Sequence, residues 1–308
     1  MDEVSIISAY GATVGDNITV DIVKSFLEKH GYKASLGYNP GSVLAIYGPG
    51  GLIWDNTQPS IIKNVEKLLD SGIPCLGLSL GCQGISDYNR WMFLKRFIKV
   101  CVRDPYTLSI IDRLGAKTIL AQDIGFLCDT GENRPEGDVL GVVAPNLTSY
   151  PDITRALKSL SSKFKIRYIP FSIPEVEECR RIRRETSGEV VDLYVGKPSI
   201  EQAVEISKCR IVLAGHLHAF IFALTSQTPC IVLPLRDKIR WICSWLGYNE
   251  WLALTSDEIE SKVNLMLKFE DAVMLWMHTI LKEQIERAHR NLQVLMEVLT
   301  RENIGDSS

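Results

Sequence analysis

The chain has 308 residues, of which 46% are hydrophobic and 23% charged, a composition typical of an ordinary globular protein with room for two domains. Its net charge of −3 excludes a global electrostatic attraction to nucleic acid or to acidic membranes. The acidic start Met1-Asp2-Glu3 and the lack of any apolar run of about 18 to 20 residues argue against an export signal or a membrane span, so we expect a cytoplasmic protein.

The first half of the chain alternates short apolar runs with stretches of helical periodicity. Strands are predicted at residues 4–9, 43–47, 74–80, 100–102 and 119–120, and helices at residues 18–30, 61–69, 91–98 and 107–114. Repeated strand-loop-helix units of this length predict a parallel, doubly wound sheet.

A second series of the same kind follows a polar break at residues 130–138, the best candidate for a linker. Its strands are predicted at residues 139–144, 166–170, 190–194, 211–214 and 230–233, and its helices at residues 152–161, 175–185, 200–208 and 219–224. A long one-sided apolar helix over residues 269–300 closes the chain. We therefore expect an α/β protein with Rossmann-like domains at residues 1–132 and 138–262, and a C-terminal helix within 263–308 that packs back.

Two glycine-bearing segments follow predicted strands of the first domain, at residues 11–17 and 48–51. Open α/β sheets bind ligands at the carboxyl ends of their strands, where glycine lets the backbone approach an anion and a helix start offers unpaired N–H groups. Tight turns and close packing explain the same pattern, so both interpretations stand. The candidate binding residues are Gly11, Gly15, Asp16, Asn17, Gly50 and Gly51.

The run PCLGLSLGCQ at residues 74–83 is similar to the nucleophile elbow of class I glutamine amidotransferases. Ser79 stands where that family has its cysteine, and no His-x-Glu partner follows downstream. Because the amidotransferase reaction needs a thiolate, we do not expect this activity.

Arg103 follows a predicted strand and precedes Asp104. Its guanidinium could fork onto a phosphate or carboxylate, or it could tether a helix terminus.

His216 and His218 lie two positions apart after Gly215, in a segment with few other polar groups. At a strand end, side chains at i and i+2 share a face, and imidazoles are the natural proton carriers near neutral pH. A structural role is the alternative. No third ligand has suitable spacing, so we expect no metal.

Eight cysteines are scattered through apolar runs without a C-x-x-C pair, at positions 75, 82, 101, 128, 179, 209, 230 and 243. The pattern predicts reduced core thiols rather than a disulfide framework or a zinc site.

Taken in order, these features resemble the polysaccharide pyruvyl transferase family over residues 4–252. The most specific element is residues 216–223, HLHAFIFA, which is similar to the family signature R-L-H-A-x-I-F-A. Pro229 and Lys238 follow at the family's spacing, and Arg103-Asp104 and residues 123–127 also match its pattern.

The resemblance implies a fold similar to that of GT-B glycosyltransferases, with two Rossmann-like domains facing a cleft. It implies transfer of the pyruvyl group of phosphoenolpyruvate to two hydroxyls of a saccharide, free or lipid-linked, as a ketal, without a cofactor. A lipid-linked acceptor would add peripheral membrane contact. By resemblance, His218 is the acid/base or phosphate-contacting histidine, Arg103 holds the phosphate or carboxylate of the donor, and Lys238 adds positive charge.

One position departs from the family pattern, because His216 stands where arginine is expected. Hydrogen bonds to charged groups are each worth about 1.5–3 kcal/mol, so loss of the permanently charged, two-pronged guanidinium of an arginine weakens anion binding. Either a protonated His216 lies beside the donor phosphate, or the donor has changed. A glycosyltransferase that uses a nucleotide-sugar and a catalytically idle sugar- or anion-binding relative are the alternative functions.

Overall fold

Parallel strands organise the chain into two compact units. The computed structural model describes residues 1–147, 150, 152–192 and 199–305. Unit 1 comprises Met1–Gly11, Asp16–Leu127 and Gln284–Ser308, and unit 2 comprises Ala12–Gly15 and Cys128–Glu283.

Unit 1 contains the first strand-helix series. Its strands are β1 (Glu3–Ile7), β2 (Lys33–Leu36), β3 (Leu44–Tyr47), β4 (Gly50–Ile53), β5 (Cys75–Cys82), β6 (Lys99–Val102) and β7 (Thr118–Leu120). Its helices are α1 (Val14–Lys29, whose first two residues belong to unit 2), α2 (Pro59–Asp70) and α3 (Pro105–Arg113), with 3-10 turns at Asn89–Arg96 and Ile124–Leu127.

Unit 2 contains the second series. Its strands are β8 (Val139–Val143), β9 (Lys165–Tyr168), β10 (Glu189–Val190), β11 (Ile211–Ala214) and β12 (Cys230–Val232). Its helices are α4 (Ile153–Leu160), α5 (Ile173–Thr186), α6 (Ile200–Ser207), α7 (Leu217–Thr225), α8 (Asp237–Trp245) and α9 (Ser256–Lys268), with a 3-10 turn at Asn249–Trp251. The last helix, α10 (Glu270–Gly305), contributes to both units.

Each unit has one parallel sheet, as the repeated strand-helix pattern predicts. Among the described residues the strand order is β2-β1-β3-β5-β6-β7 in unit 1, with β4 also paired to β5, and β10-β9-β8-β11-β12 in unit 2. The order reverses between β1 and β3 in unit 1 and between β8 and β11 in unit 2. Ligands of open α/β sheets bind at such reversals, outside the carboxyl ends of the strands.

Several element boundaries differ from the prediction. Helix α1 begins at Val14 instead of residue 18, so Gly15, Asp16 and Asn17 lie in a helical turn and not in the preceding loop. The predicted helix at residues 91–98 is a 3-10 turn. Of the predicted strand at 190–194, Val190 lies in β10, whereas Leu193 and Tyr194 lie outside the described residues.

The apolar face of the long C-terminal helix is buried, as its periodicity predicts. Val273 and Met277 are buried in its first half. In its second half, Leu295 and Leu299 pack with residues of β1, β3 and α1 in one core cluster of unit 1. This packing explains why a single-faced helix of this length forms part of the fold.

Candidate functional site

Gly215 follows the end of β11 at the sheet reversal of unit 2, beside the end of the neighbouring strand β8. A Cβ added there would lie 2.5 Å from the Cβ of Ala144 and 2.9 Å from Cδ1 of Leu235. Only glycine fits, and the close approach of the two strand ends sets the position of the residues that follow.

The two histidines after Gly215 occupy different backbone settings. His216 is the extended N-cap residue of α7, whereas His218 lies inside the first turn of that helix. The expectation that both lie on one strand end and share a face is therefore wrong, because the helix begins directly after His216. Each ring is held by its own set of contacts.

The ring of His216 is held between an aromatic ring and a carboxylate. Its Nε2 lies 2.9 Å from Oε1 of Glu175, and the ring stacks on Phe171 with centroids 5.5 Å apart. The His216 side chain keeps 14% of its surface exposed, and that of Glu175 keeps 7%. A substrate group can therefore reach His216, but the carboxylate behind it is shielded.

Glu175 receives three hydrogen bonds near the start of α5. Oε2 accepts from the N–H of Phe171 at 2.9 Å, and Oε1 accepts from Oγ of Ser172 at 2.7 Å and from His216. Burial opposes the charged carboxylate, but the hydrogen bond and charge of His216, with the other two donors, hold the pKa of Glu175 below its usual value. Glu175 is therefore a carboxylate at neutral pH.

His218 is buried against the first turn of α1. A Cβ added to Gly15 would overlap with Nδ1, Cγ and Cβ of His218, all closer than 3.0 Å. The other side of the ring stacks on Phe222, with centroids 6.0 Å apart. Gly15 is thus the residue that makes room for the imidazole.

Phe171 connects these contacts. Its N–H donates to Glu175, its carbonyl accepts from the N–H of Val14 at 2.9 Å, and its ring stacks on His216. The start of α1, the carboxylate and the imidazole are thereby all fixed to one residue of unit 2.

The sheet reversal in unit 1 brings together most of the glycine-loop candidates. The N–H of Gly11 donates to Oδ1 of Asn17 at 2.6 Å, and a Cβ added to Gly50 would lie 3.5 Å from Oδ1 of Asp16. Gly11 and Gly50 have φ angles of 90° and 130°, which favour glycine. Gly51 follows as a half-buried residue of β4. The loops after β1 and β3 therefore meet, with a carboxylate between them.

Arg103 is buried in unit 1, with 1% of its surface exposed. Its Nη1 lies 2.8 Å from Oδ2 of Asp123, and a Cβ on Gly81 would overlap with the guanidinium. Within the described part of the chain, its Nε and Nη2 have no hydrogen-bond partner. Asp104, not Arg103, caps α3 by accepting from the N–H of Thr107 at 2.7 Å. The contact of Arg103 with a donor stays a prediction.

Lys238 lies in the first turn of α8 and is half-buried. It belongs to unit 2 with Gly15 and the two histidines, whereas Arg103 and the other glycine-loop candidates belong to unit 1. Among the described residues, no three His, Cys, Asp or Glu side chains form a group that could hold a metal ion.

The model of the family described as polysaccharide pyruvyl transferase matches residues 14–237 of the chain. This range covers Gly15, Arg103, Glu175 and both histidines. The chain belongs to the polysaccharide pyruvyl transferase family. It is accordingly a transferase of pyruvyl transferase type, as its sequence predicts.

Solved structures similar to this pyruvyl transferase family member have the GT-B fold, as predicted. The complex of Staphylococcus aureus MnaA with UDP has a TM-score of 0.67 at 8% identity, over 98% of this chain and 97% of that one. UDP-GlcNAc 2-epimerase from Neisseria meningitidis, bound to UDP-GlcNAc, has a TM-score of 0.57 at 12% identity, over 98% and 100%. The Methanocaldococcus jannaschii UDP-GlcNAc 2-epimerase has a TM-score of 0.57 at 10% identity, over 87% and 93%.

No curated protein sequence matches the chain. No helix in the described residues is both long and apolar enough to cross a membrane.

The cysteines and Ser79 of this pyruvyl transferase family member are structural. All eight cysteines are free and buried, and burial raises the pKa of Cys75 to about 12 and that of Cys82 to about 11. Ser79 is fully buried, its Oγ accepts from the N–H of Ile124 at 3.0 Å, and its N–H donates to Oδ1 of Asn291. None of these side chains is placed to act as a nucleophile.

Sequence reasoning missed Glu175 and Phe171 as site residues. Phe171 lies in a segment, residues 169–171, that is similar to the family pattern. For Glu175 the signal was local: Ser172 and Glu175 have the S-x-x-E spacing of a capping box, which predicts a helix start and not a partner for a histidine. Glu175 is 41 residues away from His216, so their contact depends on the sheet topology.

Proposed function

We propose that this protein transfers the pyruvyl group of phosphoenolpyruvate to two hydroxyls of a saccharide, forming a ketal and releasing phosphate. The observation that carries the proposal is the position of His218. It lies in the segment that matches the family, directly after the sheet reversal of unit 2, with its ring held between Gly15 and Phe222. A histidine fixed in this way has the rigidity that proton transfer requires.

In the proposed reaction, His218 gives a proton to the methylene carbon of the donor or moves the proton of an acceptor hydroxyl. Lys238 lies in the same unit and would offset the negative charge that develops on the departing phosphate. In unit 1, Arg103 and the glycine loops at the β1/β3 reversal, with Gly11 and Gly50, remain the proposed places for anionic groups of the substrates.

We also propose that the reaction takes place in the cytoplasm, where eight free thiols stay reduced. The acceptor would be a free or a lipid-linked saccharide, and the latter would require contact with a membrane surface.

Phosphate release from phosphoenolpyruvate, measured with mixed free and lipid-linked saccharides, tests the function. His218→Ala should lower the rate by about 10²–10⁴-fold, the usual contribution of general acid-base catalysis. His289→Ala, an exposed histidine on α10, is the matched control and should retain the wild-type rate. An unchanged rate in His218→Ala would refute the role of this histidine.

A second arm offers UDP-GlcNAc to the same acceptors. Release of UDP without any response to phosphoenolpyruvate would contradict the proposal and favour glycosyl transfer. Failure of both donors to react or to raise the melting temperature would favour a catalytically idle binding protein.

A further inference from the structure

Glu175 and His216 form a carboxylate–imidazole pair at the β8/β11 reversal. The Nε2–Oε1 distance of 2.9 Å is that of a hydrogen bond, and the ionised carboxylate can only accept. The proton of the pair therefore lies on Nε2. In the neutral ring, Nδ1 is then the nitrogen with a free lone pair.

The pair is a poor substitute for the arginine of the family signature. When His216 is protonated, the Glu175 carboxylate cancels its charge, and when it is neutral the pair carries a net negative charge. An arginine at this position would keep a permanent charge and several donors for a phosphate group. Attraction of an anionic donor is therefore the weaker use of this side chain.

The same pair is well suited to accept a proton. A buried carboxylate that receives Nε2–H fixes the tautomer and orientation of the imidazole, and stabilises the imidazolium as it forms. Phe171 adds a second constraint on the ring plane, since the interplanar angle between the two rings is 27°. The exposed part of the ring remains accessible to a hydroxyl group.

We infer that Glu175 is the positioning residue of His216, and that Nδ1 of His216 is the base that deprotonates the first acceptor hydroxyl. This inference rests on the function proposed above. It assigns the two histidines different tasks: His216 removes a proton from the acceptor, and His218 supplies one to the donor.

In the first step, the acceptor hydroxyl adds across the double bond of phosphoenolpyruvate. The hydroxyl oxygen of the acceptor bonds to C2 of phosphoenolpyruvate while its proton passes to His216. The π electrons of the C2–C3 double bond take a proton from His218, which turns the methylene into a methyl group. The product is a tetrahedral carbon that carries the acceptor oxygen, the phosphate, the carboxylate and the methyl group.

The second step restores both histidines. The second hydroxyl oxygen bonds to C2 as the bond between C2 and the phosphate oxygen breaks. The hydroxyl proton passes to His218, and His216 gives its proton to the departing phosphate. Two hydroxyls and one phosphoenolpyruvate thus yield one ketal and one hydrogen phosphate.

Glu175 also stabilises the start of α5 through Phe171 and Ser172, so a purely structural role must be separated from the positioning role. The main test is Glu175→Gln, which keeps an acceptor oxygen but removes the charge. Ser172→Ala removes one hydroxyl donor of the cap and keeps the carboxylate beside His216. Glu177→Gln removes an exposed carboxylate of the same helix and serves as the matched charge control.

Glu175→Gln should lower kcat by about 10²-fold, the lower end of the usual contribution of a general base. The KM for phosphoenolpyruvate should stay within about twofold, because only proton transfer is affected. The acid limb of the kcat/KM profile should move to lower pH, since the amide no longer stabilises the imidazolium. Glu177→Gln should match the wild type, and Ser172→Ala should lower the melting temperature without moving the acid limb.

His216→Arg distinguishes the base from an anion ligand. It should lose kcat to the same extent as Glu175→Gln while the KM for phosphoenolpyruvate stays the same or falls. Wild-type or higher kcat in His216→Arg would overturn the inference, as would an unmoved acid limb in Glu175→Gln, and either result would leave the proposed function intact.

Nitrogen NMR of histidine-labelled protein tests the pairing without any substrate. The wild type should show the neutral ring of His216 protonated at Nε2, and Glu175→Gln should weaken this preference for one tautomer. Identical His216 signals in the two proteins would overturn the pairing. No phosphate release by the wild type with any acceptor would overturn the proposed function, and the assignment of His216 as its base with it.

Discussion

Replacing Gly15 with alanine places two physical effects in opposition. Gly15 lies in the first turn of α1, and alanine in place of glycine stabilises a helix by about 0.5–1 kcal/mol. Propensity alone therefore predicts a more stable protein. The contact with His218 predicts the opposite.

The contact should dominate because no side-chain rotation relieves it. The added methyl group would overlap not only with Nδ1 and Cγ of His218 but also with its Cβ, which stays in place when the ring turns. The backbone of α1 or α7 must move instead. Overpacking of this kind costs about 1–3 kcal/mol, so we expect a net loss of stability and a displaced imidazole.

Thermal unfolding and phosphate release from phosphoenolpyruvate measure the two consequences. Gly15→Ala should melt several degrees below the wild type and lose activity as His218→Ala does. Gly41→Ala is the control, because a Cβ there meets only Oδ1 of Asn39, at an ordinary 3.5 Å. The double variant Gly15→Ala, His218→Gly should recover part of the lost stability. A Gly15→Ala protein as stable and active as the wild type would refute the packing of His218 against α1.

Two further predictions concern buried charges. Asp123→Asn removes the carboxylate that pairs with the buried Arg103 and should lower the free energy of unfolding by about 3 kcal/mol in urea titrations, because the guanidinium loses its hydrogen-bonded counter-charge. An unchanged midpoint would show that Arg103 has another counter-charge. Glu175 has a folded-state pKa below the ordinary value of a glutamate, so the stability it contributes is present above that ordinary value and is lost as the pH falls through the lowered folded pKa. The difference in unfolding free energy between wild type and Glu175→Gln should accordingly shrink on acidification; a constant difference down to the acid transition would contradict the lowered pKa.

The repeating units of the fold could be predicted from the sequence because each is a local pattern. Buried parallel strands are short apolar runs, and the helices between them show apolar positions at helical spacing. The start of α1 could not be predicted in this way. The N–H of Val14 is satisfied by the carbonyl of Phe171, which is far away in the sequence, so a tertiary contact extends the helix beyond its periodic part.

Of the candidate site, only the local motifs could be predicted from the sequence, and not the contacts between residues that are distant in the sequence. The segment around His216 and His218 stands out by composition, and its backbone does follow a strand end at a sheet reversal. The partner of His216, Glu175, is 41 residues away in the first turn of α5. For Arg103, the sequence leaves open an anion ligand or a tether of a helix terminus, whereas in the structure Asp123 and the missing side chain of Gly81 allow the guanidinium to be buried. Such pairings depend on which strands are neighbours in the sheet. Local sequence patterns do not encode that order.

The three contacts of Phe171 link events at separate places in unit 2. A ligand that contacts the His216 ring also restricts the Phe171 ring, because the two rings stack. The carbonyl of Phe171 accepts the hydrogen bond of the Val14 N–H, the first amide of α1. Ligand binding that rigidifies this residue should slow hydrogen exchange at the Val14 amide, although nothing has bound to that helix. The rate of hydrogen exchange at the Val14 amide should therefore report whether a ligand is bound at His216, without a label at the site itself.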